Sequence, residues 1–276
     1  MLKSTVLGLA AAGIFGWPTL TAPEHTLGLP GQAGAAPHAQ DFRWSGTIAA
    51  GKAIEIKGIN GEIVAKGSSG GEVVVTASKH ARDDDPESVR IEVVEHDDGV
   101  TICAVYPDTK RNRPNVCAPK DEGRMSSDDN DVSVDFEVRV PAGVRFIGRT
   151  VNGGVDATGL TADAHVSTVN GDVEVETEGR AEASTVNGGI HASMGRADWN
   201  GTMDFHTVNG NIDLELPSGI NAEVRAGTVN GDIRTDFPLV VKGRFGPRRV
   251  SGTIGDGGRT LDLETVNGNI SLRKRG

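Results

Sequence analysis

Thr168-Val169-Asn170-Gly171-Asp172-Val173 is one of six nearly identical stretches in this chain; the others stand at 150–155, 185–190, 207–212, 228–233 and 265–270. Their Asn residues, 152, 170, 187, 209, 230 and 267, are separated by 18, 17, 22, 21 and 37 positions. The last gap divides at Ser251, inside a worn copy, Val250-Ser251-Gly252-Thr253-Ile254, and an early copy, Ile59-Asn60-Gly61-Glu62-Ile63, lies far upstream. A short fixed period of this kind marks one structural unit stacked on itself.

With each copy numbered from its Val (or Ile59) as zero, apolar residues recur at minus five, minus three, zero, plus four and plus six. Around Val169 these are Ala164, Val166, Val169, Val173 and Val175; around Val208 they are Met203, Phe205, Val208, Ile212 and Leu214. Steps of two are strand alternation, and the break around Asn-Gly marks a bend at which the inward parity resets. Each unit reads as strand, corner, strand, with Val208 and Ile212 both expected to point inward. Asn and Gly suit such a corner because both tolerate positive φ. Separate hairpins with Asn-Gly turns are the rival reading. Isolated hairpins bury little apolar surface, however, whereas stacked units share one core and pair every strand. The expected fold is therefore all-β: a single-chain β-solenoid, or β-helix, of right-handed winding, with an antiparallel β insertion near its N-terminal end. Stacking would set Asn60, Asn152, Asn170, Asn187, Asn209, Asn230 and Asn267 one over another as a structural turn ladder, in the manner of stacked Asn side chains generally.

The composition agrees. Among 276 residues there are 38 Gly, 4% aromatic residues and a formal charge of −10, which suits turn-rich β structure and argues against a nucleic-acid partner, for which a basic patch is needed. Lys3, an apolar run over 6–15 and Pro18 open the chain and read as a signal peptide and leader over 1–35, with Leu20-Thr21-Ala22 and Ala33-Gly34-Ala35 as alternative cleavage sites. No second apolar run is long enough to span a membrane, so the mature protein is expected in the periplasm, on the cell surface or secreted. In such an oxidising compartment Cys103 and Cys117 are expected to pair, closing a loop that would contribute about 3 kcal/mol in the chain-entropy model.

In chain order, 41–66 reads as an entry strand and first rung, with Trp44 near its start. From 67 to 140 the period is lost, and runs such as Val132, Val134, Phe136, Val138 and Val140 read as an antiparallel insertion. Its loop over 110–131 mixes both charges with Asn, Pro and Ser and is expected to be mobile. The solenoid then occupies 141–276. Its open end needs a polar cover against edge pairing, a role for which Arg273, Lys274 and Arg275 are suited.

The early Ile-Asn-Gly copy, the inserted stretch, Val140-Pro141-Ala142-Gly143 and the serial Thr-Val-Asn-Gly units together resemble the bacterial putative-adhesin family of β-strand-repeat proteins, a domain of unknown function. The resemblance spans about 42–272 and implies a β-solenoid exported to the cell envelope. It implies no catalytic residues.

The search for chemistry yields one face. The chain contains no Gly-x-Ser-x-Gly elbow, His-Glu-x-x-His or phosphate loop. His165, His191 and His206 fall at different template positions, and the single stretch 254–263 resembles a calcium-binding nonapeptide repeat only imperfectly. No cofactor and no metal site are expected. Outward positions plus three, five and seven gather Asp156, Asp172, Glu174, Glu176, Asp213, Glu215, Asp232 and Asp236. Asp156, Asp172, Glu174, Asp213, Glu215 and Asp232 are the candidate binding residues, for a cation or a basic partner; the alternative is a solvated strand face kept from aggregating by charge. The expected function is a non-enzymatic envelope or surface protein whose solenoid binds an envelope protein, a glycan or a surface. A polysaccharide-acting β-helix enzyme with paired carboxylates and a periplasmic sensory or scaffolding domain are the alternatives. Against the enzyme stands the shortage of rings for stacking sugars, Trp44, Tyr106 and Trp199 being the obvious candidates.

Overall fold

The computed structural model describes residues 42–108, 114–199, 201–241 and 249–275. The expected leader and both cleavage sites lie outside the described residues. The strands of the N-terminal part are β1 (Phe42–Gly46), β2 (Ala53–Lys57), β3 (Ile63–Ser68), β4 (Val73–His80), β5 (Arg90–His96), β6 (Gly99–Val105) and β7 (Ser133–Pro141). The repeats supply β8 (Arg145–Arg149), β9 (Val155–Leu160), β10 (Ala164–Ser167), β11 (Val173–Thr177), β12 (Ala181–Ser184), β13 (Ile190–Met194), β14 (Thr202–His206) and β15 (Ile212–Leu216). Then follow β16 (Ala222–Asn230), β17 (Ile233–Thr235), β18 (Val240–Val241), β19 (Arg249–Ile254), β20 (Arg259–Asn267) and β21 (Ile270–Lys274).

Two sheets result, and each rung of the solenoid gives one strand to either. One sheet runs β1-β4-β7-β3-β9-β11-β13-β15-β21-β17, the other β18-β19-β16-β20-β14-β12-β10-β8-β2-β6-β5. Rung on rung the pairing is parallel and in register, so that Val173, Ile190, Ile212 and Ile270 stack in one column between the sheets, all of them buried. The fold is the expected β-solenoid. Among the described residues no helix is long and apolar enough to cross a membrane.

At the corner the inward phase differs from expectation. In five of the six Thr-Val-Asn-Gly copies positions minus five, minus three, plus four and plus six are buried (in the copy at Val229, Ile233 is half-buried and Thr235 exposed), but the zero position is not: Val208 is 39% exposed and Thr207 before it only 4%, whereas Ile59 of the early copy is buried as expected. Val151, Val169, Val186, Val229 and Val266 are exposed in the same way, whereas Thr150, Thr168, Thr185, Thr228 and Thr265 are buried. Strand alternation simply continues one step further, through minus one, before the chain bends. A buried hydroxyl needs a partner, and each Thr has one in the adjacent rung. Thr168 Oγ1 donates to Gly153 O at 2.8 Å, Thr207 Oγ1 to Gly188 O at 2.8 Å and Thr265 Oγ1 to Gly210 O at 2.9 Å.

The reason for Gly at the corner also differs. No corner Asn has positive φ, and of the corner glycines only Gly61 (119°) and Gly153 (153°) do; the constraint shared by the corners is the close approach of rungs. A Cβ on Gly188 would lie 1.9 Å from Gly171 O, and one on Gly210 would lie 1.9 Å from Gly188 O. The Asn side chains form a continuous ladder, in which each Nδ2 donates to the Oδ1 of the rung before it at 2.7–2.8 Å, from Asn152 on Asn60 to Asn230 on Asn267.

The insertion contains the antiparallel pairs β4–β7 and β5–β6. Its β6 and β7 also pair in parallel with β2 and β3, so it prolongs both sheets beyond the first rung. The Cys103–Cys117 disulfide, with Cα atoms 5.8 Å apart, ties the following loop over β2. There Glu55 Oε2 accepts from Thr101 Oγ1 (2.8 Å) and Lys120 N (3.0 Å), and Lys57 Nζ donates to Ala118 O (2.6 Å). Burial lowers the Lys57 pKa, against the opposing pull of Glu55. Residues 114–131 are further held by Asn115, whose Oδ1 accepts from Ser126 N at 2.9 Å, and by Asp131, whose carboxylate accepts from the amides of Arg82, Asp83 and Asp84 at 3.0–3.1 Å.

The far end corrects two expectations. The worn copy at 250–254 is not a rung: it lies in β19, which runs antiparallel to β16. The C-terminal rung, β20 and β21, is not the end of the stack but sits between β14/β15 and β16/β17. Arg273 and Arg275 accordingly pair sideways, with Asp213 (3.7 Å) and Glu178 (2.7 Å), and do not cover an open edge.

Candidate functional site

Just past each Asn-Gly the plus-three residue leaves the corner, and its side chain can reach the adjacent rung. Asp172 Oδ1 accepts from Gly189 N (2.7 Å), Asn211 Oδ1 from Asn269 N (2.8 Å) and Asn269 Oδ1 from Asp232 N (2.9 Å), and Asp135, which follows no Asn-Gly but lies in β7 beside β3, accepts in the same way from Glu62 N (2.9 Å). This second ladder is broken wherever plus three is glycine. Gly154 and Gly189 offer no side-chain oxygen, so the amides of Asp172 and Asn211 have no partner among the described residues, and neither does the amide of Gly154.

The missing side chains open a groove of about 690 Å³ along the stack over five rungs. Its floor is the plus-three column, Glu62, Gly154, Asp172, Gly189 and Asn211; its wall is the plus-five column, Val64, Asp156, Glu174, His191 and Asp213. Strand register fixes that order, Val64 lying against Asp156, then Glu174, His191 and Asp213. Asp156 Oδ1 is buried and has no hydrogen-bond partner. On the other side of the Asn ladder runs the ridge of exposed valines, Val151, Val169, Val186, Val208, Val266 and Val229.

Of the six candidate binding residues the groove collects Asp156, Asp172, Glu174 and Asp213. Glu215 lies one outward step further along β15, in register with Ser193 and Arg273. Asp232 lies beyond the intervening β20–β21 rung and faces Arg234 at 3.9 Å. Glu62 and His191 line the groove without having been singled out, although Glu62 holds in the early copy the same template position as Asp172. The other two histidines lie in the opposite sheet, His165 against Glu182 (3.1 Å) and His206 near Asp204 (3.9 Å). Two rings considered for sugar stacking are not available. Trp199 is 6% exposed and donates Nε1–H to Thr260 O (3.2 Å), while Tyr106 is 2% exposed and donates to Val132 O (2.8 Å), burial pushing its pKa up to about 12. Among the described residues no group of three or more His, Cys, Asp or Glu is placed to hold a metal ion.

A repeat solenoid with one acidic axial groove is the class of protein that this geometry defines. Residues 147–273, from within β8 to within β21, match the family described as Toastrack DUF4097, and the chain therefore carries over that stretch a domain similar to a family of unknown function. No curated protein matches the chain. Two crystal structures are similar in fold. One is of a putative cell adhesion protein from Clostridium sporogenes, at 10% identity and TM-score 0.45, covering 85% of this chain and 99% of that one. The other is of a putative adhesin from Bacteroides fragilis, at 12% identity and TM-score 0.35, covering 85% and 96% respectively.

Proposed function

We propose that this is an exported, non-enzymatic protein of the cell envelope or surface, and that it binds its partner along the plus-three and plus-five columns of the solenoid. The observation that carries the reading is the groove itself: carboxylates from three rungs, Glu62, Asp156, Asp172 and Glu174, are joined by Asp213 from a fourth on one open axial track of five rungs. A catalytic site needs unlike groups converging on one point with environments that drive their pKa values apart. An extended row of like charges suits instead a long, salt-sensitive contact with a basic or cation-bearing partner.

The purified mature chain, screened for retention on immobilised envelope glycans and envelope proteins, is expected to bind and to elute as salt rises. Turnover of a defined polysaccharide, abolished by one carboxylate substitution, would establish the enzyme instead.

A further inference from the structure

We infer that the groove takes a chain of amino sugars carrying free amines, laid along the solenoid axis at about one sugar per rung. This rests on the binding function proposed above and specifies its ligand. Three features of the groove select that chemistry.

The first is polarity of both kinds in alternation. The wall offers the carboxylates of Asp156, Glu174 and Asp213, while the floor offers the open amides of Gly154, Asp172 and Asn211. A ligand that satisfies both must present cationic donors and neutral acceptors along its length. Ammonium groups answer the carboxylates, and hydroxyl and ring oxygens answer the amides. A polyamine has no acceptor for the amides.

The second is pitch. Neighbouring rungs are about 4.8 Å apart, and the amides of Asp172 and Asn211, two rungs apart, are separated by about 9.6 Å along the axis. An extended β-linked sugar chain advances by close to one rung per residue and repeats its facing every second residue. An extended peptide advances about 3.3 Å per residue and falls out of step with the rungs.

The third is the lack of a large ring. No Trp, Tyr or Phe lines the groove, where the imidazole of His191 is the ring present, so a neutral sugar would find no broad stacking platform, and charge has to supply what stacking does elsewhere. Gly189 supplies the vacant space: a Cβ there would come no closer than 3.6 Å to any neighbour.

The test is titration calorimetry with a glucosamine pentamer, its N-acetylated counterpart, spermine and pentalysine, using the wild type, Glu174→Gln and Gly189→Asn. Gly189→Asn restores the missing rung of the plus-three ladder, placing a carboxamide oxygen on the Asn211 amide as Asn211 does for Asn269; an unchanged melting temperature confirms the fold. The glucosamine pentamer should bind at least tenfold tighter than the other three ligands, and each variant should weaken it at least fivefold. Spermine or pentalysine binding as tightly, or glucosamine binding that Gly189→Asn leaves unchanged, would overturn the inference. Retention on whole envelopes without affinity for the glucosamine pentamer would sink the amino-sugar assignment alone, whereas loss of both would remove the binding function beneath it.

Discussion

Asn267 Nδ2 donates to Asn209 Oδ1 at 2.7 Å across 58 residues, and Asn230, which stands between them in sequence, donates in turn to Asn267 Oδ1 at 2.7 Å. The ladder therefore runs 209, 267, 230. After β15 the chain lays β16 and β17 one rung too far along, turns back through β19, and fills the vacant rung with its last strands.

Removal of 259–276 should accordingly expose edges inside the stack. Without β20 and β21, β14 and β15 lose their parallel partners on one side, and β16 and β17 lose theirs on the other. Amide exchange followed by mass spectrometry should show protection lost over 202–216 and 222–235 and kept over 145–177. Undiminished protection over 222–235 in the truncated chain would contradict the rung order.

The corner predicts an inversion of the usual polarity rule. Thr207→Val removes the hydroxyl that Gly188 O accepts from and should cost about 1 kcal/mol, whereas Val208→Thr, at an exposed position, should stay within about 0.5 kcal/mol. Ile212→Asp would bury an unpaired carboxylate and cost several kcal/mol. Denaturant unfolding of the three variants reads the order directly; a larger loss for Val208→Thr than for Thr207→Val would restore the expected inward valine.

The Asp131 clamp predicts a pH dependence. The Asp84 amide, with those of Asp83 and Arg82 and against a smaller desolvation effect, holds the carboxyl pKa below its ordinary value. A depressed folded pKa means that the clamp stabilises fully above the ordinary aspartate pKa, about 3.9, and loses its contribution as pH falls through the lower folded value. Exchange at 82–84 should therefore accelerate only under strongly acidic conditions in the wild type. In Asp131→Ala it should be fast already at neutral pH; equal protection in the two proteins at neutral pH would show that the carboxylate does not hold the segment.

Much of the solenoid was legible because its strands alternate: Val166, Val173, Val175, Ile212 and Leu214 occupy the core as their spacing requires. The corner misled because residue type and environment part company there. Thr207 is buried because a carbonyl of the adjacent rung receives its hydroxyl, and Val208 is exposed because the bend leaves nothing above it; neither partner is visible in one unit of sequence. Rung order was illegible for a related reason, since each Thr-Val-Asn-Gly unit carries the same corner chemistry and so no address, and only the 37-residue gap before Asn267 hinted at the detour. In the groove the wall carboxylates Asp156, Glu174 and Asp213 stood out as outward acids. Of the floor only Asp172 did, because the rest is made by what Gly154 and Gly189 lack and by amides that every residue possesses.

The central claim, that an acidic axial groove binds an envelope partner, is tested most directly by the affinity of the mature chain for purified cell envelopes, measured against sodium chloride concentration for the wild type and for Glu174→Gln, Asp213→Asn and Glu215→Gln combined. Wild-type binding should fall steeply as screening increases, and the triple variant should bind at least tenfold more weakly at low salt with its melting temperature unchanged. Binding that ignores salt and is equal in the two proteins would contradict the account.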